Sequence, residues 1–179
     1  MSGDVSKVLV TEEEIREICS RLGKQISEDY SGKKLLLVSV LKGAVVFMAD
    51  LMREITCDCE IDFMAVSSYS GAKTTGVVKF KKDLDVNPDG CDILLVEDIL
   101  DSGITLAYLK KVLMDRNAAN IKVCAFLDKP ANRQADISAD YVGKVIPDEF
   151  VIGYGLDYNE KYRNLPYVGV LDPKVYSDK

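Results

Sequence analysis

Glu97, Asp98, Asp101, Ser102, Gly103 and Thr105 all fall within the stretch ILLVEDILDSGITL, Ile93 to Leu106. Its apolar lead-in reads as a buried strand. Burying carboxylates is costly unless they are paired or used, so these acids must hold something. The residues behind them suggest what. Gly103 permits a tight turn and close approach of a ligand to the backbone. Ser102 and Thr105 offer hydroxyls, and a helix starting here offers free N–H groups and the positive end of its dipole, an anion cradle suited to phosphate. The paired acids suit ribose hydroxyls or a divalent ion, and a phosphate beside a diol describes a ribose 5-phosphate. Side-chain capping of the helix by Asp101 or Ser102 accounts for one residue, not for the acid pair plus Gly103 and Thr105.

Two other acid-pair chemistries fit less well. A response regulator also combines an acid pair with a Lys-Pro like Lys129-Pro130, but its acids follow the first strand, whereas these follow a strand near the middle of the chain. A haloacid-dehalogenase-type phosphatase needs aspartates two apart, and Asp98 and Asp101 are three apart.

The elements that must position these residues are legible around them. The 179 residues, 47% hydrophobic and 29% charged, suit one soluble domain with a sizeable core. Thr11–Tyr30 reads as a helix, with Thr11 and Glu14 as a capping box and an apolar stripe of Ile15, Ile18, Cys19, Leu22 and Ile26. Leu35–Leu41 is a continuous apolar run, as in a strand buried on both faces. Helices over Ala44–Glu54 and in ITLAYLKKVLMDRN, the latter with Leu106, Leu109, Val112 and Leu113 inward, alternate with strands in EIDFMAVSSY, Ile93–Val96 and IKVCAFLDK. That alternation argues for an α/β domain, a central parallel sheet flanked by helices. Ligands of such sheets bind at the strands' carboxyl ends, where Glu97 and Asp98 fall. SGAKTTG, Ser70–Gly76, reads as a mobile loop, and VVKFKKDL as an extended arm or strand.

Composition excludes several classes. With no histidine, His-based triads and His zinc sites are ruled out, and any general base is a carboxylate, Lys, Tyr or Cys. A net charge of −6 argues against a broad nucleic-acid surface. Five cysteines with no Cys-x-x-Cys pair suggest reduced thiols, Cys57 and Cys59 lying side by side on one strand face. No run is apolar enough to span a bilayer and no secretory signal is visible, so the cytoplasm is the default location.

VEDILDSGITL resembles the phosphoribosyl-pyrophosphate motif of the type I phosphoribosyltransferases. VLKG (Val40–Gly43), SSYSGAKTTG (Ser67–Gly76), LDKP (Leu127–Pro130) and FVIGYGLDYNEKYRNLPYVG (Phe150–Gly169) are similar to motifs of its 6-oxopurine branch, the hypoxanthine-guanine phosphoribosyltransferases, in the same order. The resemblance covers essentially the whole chain. It implies a single type I phosphoribosyltransferase domain over residues 1–179, with a small hood and a mobile active-site loop. The implied reaction is magnesium-dependent purine salvage, in which hypoxanthine or guanine and phosphoribosyl pyrophosphate give the nucleoside monophosphate and pyrophosphate.

The resemblance assigns roles residue by residue. Asp101, Ser102, Gly103, Ile104 and Thr105 would hold the 5′-phosphate, Ile104 through its N–H alone. Glu97 and Asp98 would hold the ribose 2′- and 3′-hydroxyls and the magnesium that bridges them to pyrophosphate. Asp157 would hold a second magnesium through water. Lys42, Gly43 and Arg163 would bind pyrophosphate, at a turn whose peptide is often cis in the family. Asp101 would also accept the purine N7 proton, and Lys129 would donate to the 6-oxygen. Phe150 would stack on the base and Val151 would bond it through backbone. Ser68 and Tyr69 would close over the site and exclude water. Lys129 disfavours adenine and leaves xanthine open. The partners implied are small molecules, and a homodimer or homotetramer is the family habit. A non-catalytic regulator on the same fold would be expected to lose Asp101, Ser68-Tyr69 or Lys129, and all are present.

Overall fold

The computed structural model describes residues 3–68 and 78–177. In chain order the elements are β1 (Val5–Val10), α1 (Glu12–Asp29), β2 (Leu35–Val40), α2 (Val45–Glu54), β3 (Cys59–Ser68), β4 (Val78–Lys82), β5 (Asp92–Leu100), α3 (Ile104–Asp115), β6 (Asn120–Asp128), β7 (Tyr141–Val145), β8 (Val151–Ile152) and β9 (Val168–Leu171). Short 3-10 turns sit at Pro130–Asn132 and Pro173–Val175.

The central sheet has the order β4-β3-β2-β5-β6-β7 and is parallel apart from β4. Successive strand residues point to opposite faces, which is why β2 reads as an unbroken apolar run. Leu35, Leu37, Leu94 and Val96 join Ile15, Leu22, Phe47 and Leu51 of α1 and α2 on one face. Leu36, Val38, Ile93 and Leu95 join Leu106, Leu109 and Leu113 of α3 on the other. Val112 is only half-buried, so the inward stripe of α3 is narrower than the spacing predicts.

Thr11 and Glu14 form the expected capping box, each side chain accepting the other's backbone N–H. The helix runs one residue short of the expected span at each end, because Thr11 and Tyr30 are its caps. Gly23 was not anticipated as a packing residue. A Cβ there would meet Cβ and the backbone of Glu54, so α1 and α2 cross at glycine contact.

Two expectations are corrected. Cys57 precedes β3 and only Cys59 lies on it, so the two do not share a strand face; all five cysteines are free. The strand expected at Ile93–Val96 runs on to Leu100. The chain ends, left unassigned by periodicity, supply a separate antiparallel sheet, β1-β9-β8, which forms the hood.

Candidate active site

The strand order places a switch point between β2 and β5. The chain leaves β2 toward β3 on one side and resumes at β5 on the other, and ligands of open α/β sheets bind at such a point, beyond the carboxyl ends. Pairing of β2 with β5 stops at Ser39–Val96, while β5 stays paired with β6 from Glu97–Ala125 to Leu100–Asp128. The acid pair therefore sits where β5 has outrun β2, beside the turn that follows β2. In that turn the Leu41–Lys42 peptide is cis. Gly43 is pressed against Asp98, where a Cβ would collide with the carboxylate. Gly155, at φ +96°, is pressed against Gly43, where a Cβ would run into the Gly43 carbonyl oxygen. Three segments thus meet at distances only glycine allows.

Asp98 is 8% exposed, and its Oδ1 accepts the Ile99 N–H at 2.8 Å. Glu97 Oε2 is buried with no hydrogen-bond partner. Burial, followed by the adjacent Asp98 charge, holds the Glu97 carboxyl well above the usual carboxylate range. Burial also raises Asp98, against hydrogen bonds from Glu97 and the backbone and the charge of Arg163. A buried Asp98 beside a half-buried Glu97 whose Oε2 is sealed from solvent calls for a cation or for hydroxyl donors.

Behind them Gly103 is the N-cap of α3 at φ +77°, and no side chain bonds that end. Capping by Asp101 or Ser102 is therefore not the role of either residue. Asp101 Oδ1 is buried without a partner. Ile104 is 52% exposed and Thr105 is exposed, so the mouth of the cradle is open.

On the hood side, Lys129 is 6% exposed and is not an exposed loop lysine. Its Nζ donates to the Glu149 carbonyl at 2.9 Å and lies 3.5 Å from Asp148 Oδ1, which also accepts from Asn132 at 2.7 Å. An ammonium has three donors, so one remains. Next to Glu149, Phe150 is 43% exposed, which takes it out of the core. Its ring is flanked by Tyr158 edge-on at 5.7 Å and by Tyr176 at 5.4 Å. Val151 follows it, buried on β8.

Arg163 Nη1 donates to the Gly155 carbonyl at 2.8 Å, and its Nη2 pairs with Asp157 at 2.9 Å and Glu160 at 3.3 Å. Glu160 also pairs with Lys42 at 3.1 Å. Tyr154, Asn159, Glu160 and Tyr162 all have positive φ. Such strained residues cluster at ligand sites. Because Asp157 is turned to Arg163, the three acids expected to hold metal are not gathered together. Among the described residues no three His, Cys, Asp or Glu side chains form a metal-holding group.

Ser68 ends β3, whereas Tyr69 and the loop Ser70–Gly76 lie outside the described residues. A separate cavity of about 550 Å³ between α1, α2 and the 163–166 segment includes Arg163 but none of the acid-pair or cradle residues. Gly155, Asp148 and Glu160 were not expected at the site from the sequence. Only Gly155 carried a signal, as the second glycine of GYG.

The family model for the phosphoribosyl transferase domain matches residues 8–159. The hypoxanthine-guanine phosphoribosyltransferase of Staphylococcus aureus is 51% identical over 99% of this chain and 100% of its own length. A crystal structure of a hypoxanthine phosphoribosyltransferase from Staphylococcus aureus superposes with a TM-score of 0.96 at 51% identity, covering 99% of this chain and 97% of that one. The Bifunctional protein TilS/HprT of Listeria monocytogenes is 50% identical over 99% of this chain, which spans only 28% of that protein's length. The chain belongs to the phosphoribosyltransferases, in the hypoxanthine-guanine branch of that family.

Proposed function

We propose that the switch-point crevice transfers a phosphoribosyl group from phosphoribosyl pyrophosphate to hypoxanthine or guanine, yielding IMP or GMP and pyrophosphate in purine salvage. The observation that carries this reading is the juxtaposition of an open helix N-terminus at Gly103 with the Glu97–Asp98 pair on the same strand end, Asp98 buried and Glu97 Oε2 without a partner.

In the reaction the bond from the ribose anomeric carbon to pyrophosphate breaks and a bond to purine N9 forms. The proton on N7 leaves to Asp101, whose Oδ1 is buried without a partner. Positive charge builds on the ribose as pyrophosphate departs, so electrostatic stabilisation dominates. Lys42 and Arg163 receive the pyrophosphate, exchanging Glu160 and Asp157 for it. Lys129 gives its remaining donor to the purine 6-oxygen. Phe150, held by two tyrosines, stacks on the base and Val151 bonds it through backbone. Water has to be excluded from the ribose during transfer, a task that the resemblance assigns to Ser68 and Tyr69.

Magnesium fits the donor set. It takes oxygen ligands, keeps waters, and needs only one or two carboxylates beside substrate oxygens, so Glu97 and Asp98 would hold it, and Asp157 would serve a second ion through water. The chemistry a bound ion supplies is neutralisation of the departing pyrophosphate.

The chain works on small molecules as a homodimer or homotetramer in the cytoplasm, and light scattering measures the assembly. No helix among the described residues is long and apolar enough to cross a membrane. The test of function is a spectrophotometric assay with hypoxanthine, guanine, xanthine and adenine, with and without phosphoribosyl pyrophosphate and magnesium. Turnover of the 6-oxopurines that needs both, and stops on chelation, is expected. Full activity in chelator, or preference for adenine, contradicts the reading.

A further inference from the structure

Arg133 belongs to no role assigned above, yet it is the most heavily bonded arginine near the site. Its Nε donates to the Asp101 carbonyl at 2.9 Å and its Nη2 to the Leu100 carbonyl at 3.1 Å. Its Nη1 donates to the Ile137 carbonyl at 2.6 Å, and Asp128 pairs with it from the end of β6. The next two residues continue the pattern, since the Gln134 and Ala135 N–H groups donate to the Ser102 carbonyl at 2.9 and 3.1 Å. Lys129 N–H also donates to the Leu100 carbonyl, at 3.0 Å. Three consecutive carbonyls, 100 to 102, are thus turned toward one segment, 129–135.

Peptide planarity gives this a consequence. In a trans peptide the N–H lies opposite the C=O. Drawing the carbonyls of Leu100, Asp101 and Ser102 toward Arg133 and its neighbours directs the N–H groups of Asp101, Ser102 and Gly103 the other way. The side chain also fills the space beside Gly103, where a Cβ would come within 3.0 Å of Arg133 Cδ and 2.6 Å of Ile137 Cγ2. Lys129 begins the same segment, so one short turn, Pro130–Asn132, links the purine-side lysine to the guanidinium behind the cradle.

The geometry points to Arg133 as the positioning residue that sets the polarity of the phosphate cradle and the placement of Asp101. It touches the backbone carbonyl of Asp101 and no reacting atom. The inference rests on the reading that residues 101–105 hold the 5′-phosphate. A lysine cannot replace it, because one ammonium cannot reproduce the planar fork that spans these acceptors.

The experiment compares Arg133→Met, Arg133→Lys and Thr105→Val with wild type. It measures KM for phosphoribosyl pyrophosphate, KM for hypoxanthine, single-turnover rate and thermal midpoint. Affinity for ribose 5-phosphate is measured by calorimetry. Arg133→Met is expected to raise KM for phosphoribosyl pyrophosphate and slow the chemical step by about 10–100-fold each, as misplacement of reacting groups does. KM for hypoxanthine should stay within about threefold, so the loss falls on one substrate. Arg133→Lys should recover only a minor part. Should Arg133→Met not fold, Arg133→Ala with added guanidinium replaces it, and restored ribose 5-phosphate affinity in guanidinium but not in equimolar sodium salt is expected. A wild-type KM for phosphoribosyl pyrophosphate in Arg133→Met, equal losses for both substrates, or no rescue by guanidinium overturns the inference. If Thr105→Val alone raises that KM, the cradle reading stands without Arg133. If Thr105→Val also leaves it unchanged, the cradle reading falls too.

Discussion

At the residue scale the chemistry divides between two side chains with opposite tasks. Asp101 must take a proton, and its Oδ1 lies buried with no partner to compete for it. Asp101→Asn keeps the size and the turn but cannot accept the N7 proton. It is expected to slow single-turnover chemistry by roughly 10²–10⁴-fold with a much smaller change in phosphoribosyl-pyrophosphate affinity. A near-wild-type chemical rate would remove Asp101 from that role. Lys129 must give a hydrogen bond, and its two existing bonds, to the Glu149 carbonyl and Asp148, fix where the remaining donor goes. That donor serves a 6-oxygen but meets the 6-amino group of adenine donor to donor. Sites built on such a bond reject the mismatched analogue strongly, since the buried group is left unpaired. Lys129→Gln, with both donor and acceptor, should lose hypoxanthine activity and narrow the hypoxanthine-to-adenine ratio of kcat/KM. An unchanged ratio would move discrimination to the backbone around Val151.

At the element scale the site exists because β5 is longer than its neighbour and because two glycines let other segments close on it. Gly155→Ala brings a Cβ into the Gly43 carbonyl at a φ of +96°. Overpacking of this kind costs about 1–3 kcal/mol, and it should push Gly43 away from Asp98. We expect a lower thermal midpoint together with weaker phosphoribosyl-pyrophosphate binding, read by calorimetry; a drop in stability with binding intact would separate the glycine contact from the site. The start of α1 gives a pH test. A hydrogen bond from Lys144 at 2.8 Å, then one from the Thr11 N–H, hold Glu14 below its ordinary 4.5. A carboxyl lowered in the folded state adds stability above its unfolded pKa and loses it as pH falls through the folded one. The gap in thermal midpoint between wild type and Glu14→Gln should therefore be steady above about pH 5 and shrink below 4.5. A gap that widens toward acid contradicts this. Much at this scale was legible in the chain: the capping box is a local pattern, and the alternation of buried runs with helical spacing is set by burial on two faces. The hood came only from the resemblance and not from periodicity, because β1 pairs with β9 across almost the full length of the sequence and β8 has only two residues, too few for a period. The end of β5 was missed for a related reason, since Glu97 and Asp98 break the apolar run while β6 keeps the strand paired.

At the scale of the whole molecule, the sheet brings together residues from four separate stretches, near 42, 97–105, 129 and 150–163, at one end of the strands. Residue type and spacing pointed to Glu97, Asp98, Asp101 and Gly103, and the resemblance added Lys129. Residue type could not point to Arg133, Asp148 or Glu160, whose importance lies only in what they touch. It also gave no reason to set aside the cavity behind Arg163. That cavity supplies the sharpest contrast for the central claim, that the crevice between β2 and β5 is where phosphoribosyl pyrophosphate and the purine meet. The direct measurement is a crystal structure of the complete protein with phosphoribosyl pyrophosphate, magnesium and an unreactive purine analogue lacking a nucleophilic N9. The account predicts the 5′-phosphate on the backbone of 101–105 and the ribose hydroxyls at Glu97 and Asp98. It further predicts the base against Phe150, with its 6-oxygen on Lys129. A 5′-phosphate bound elsewhere, in the α1–α2 cavity or on the hood, with the cradle empty, would contradict it.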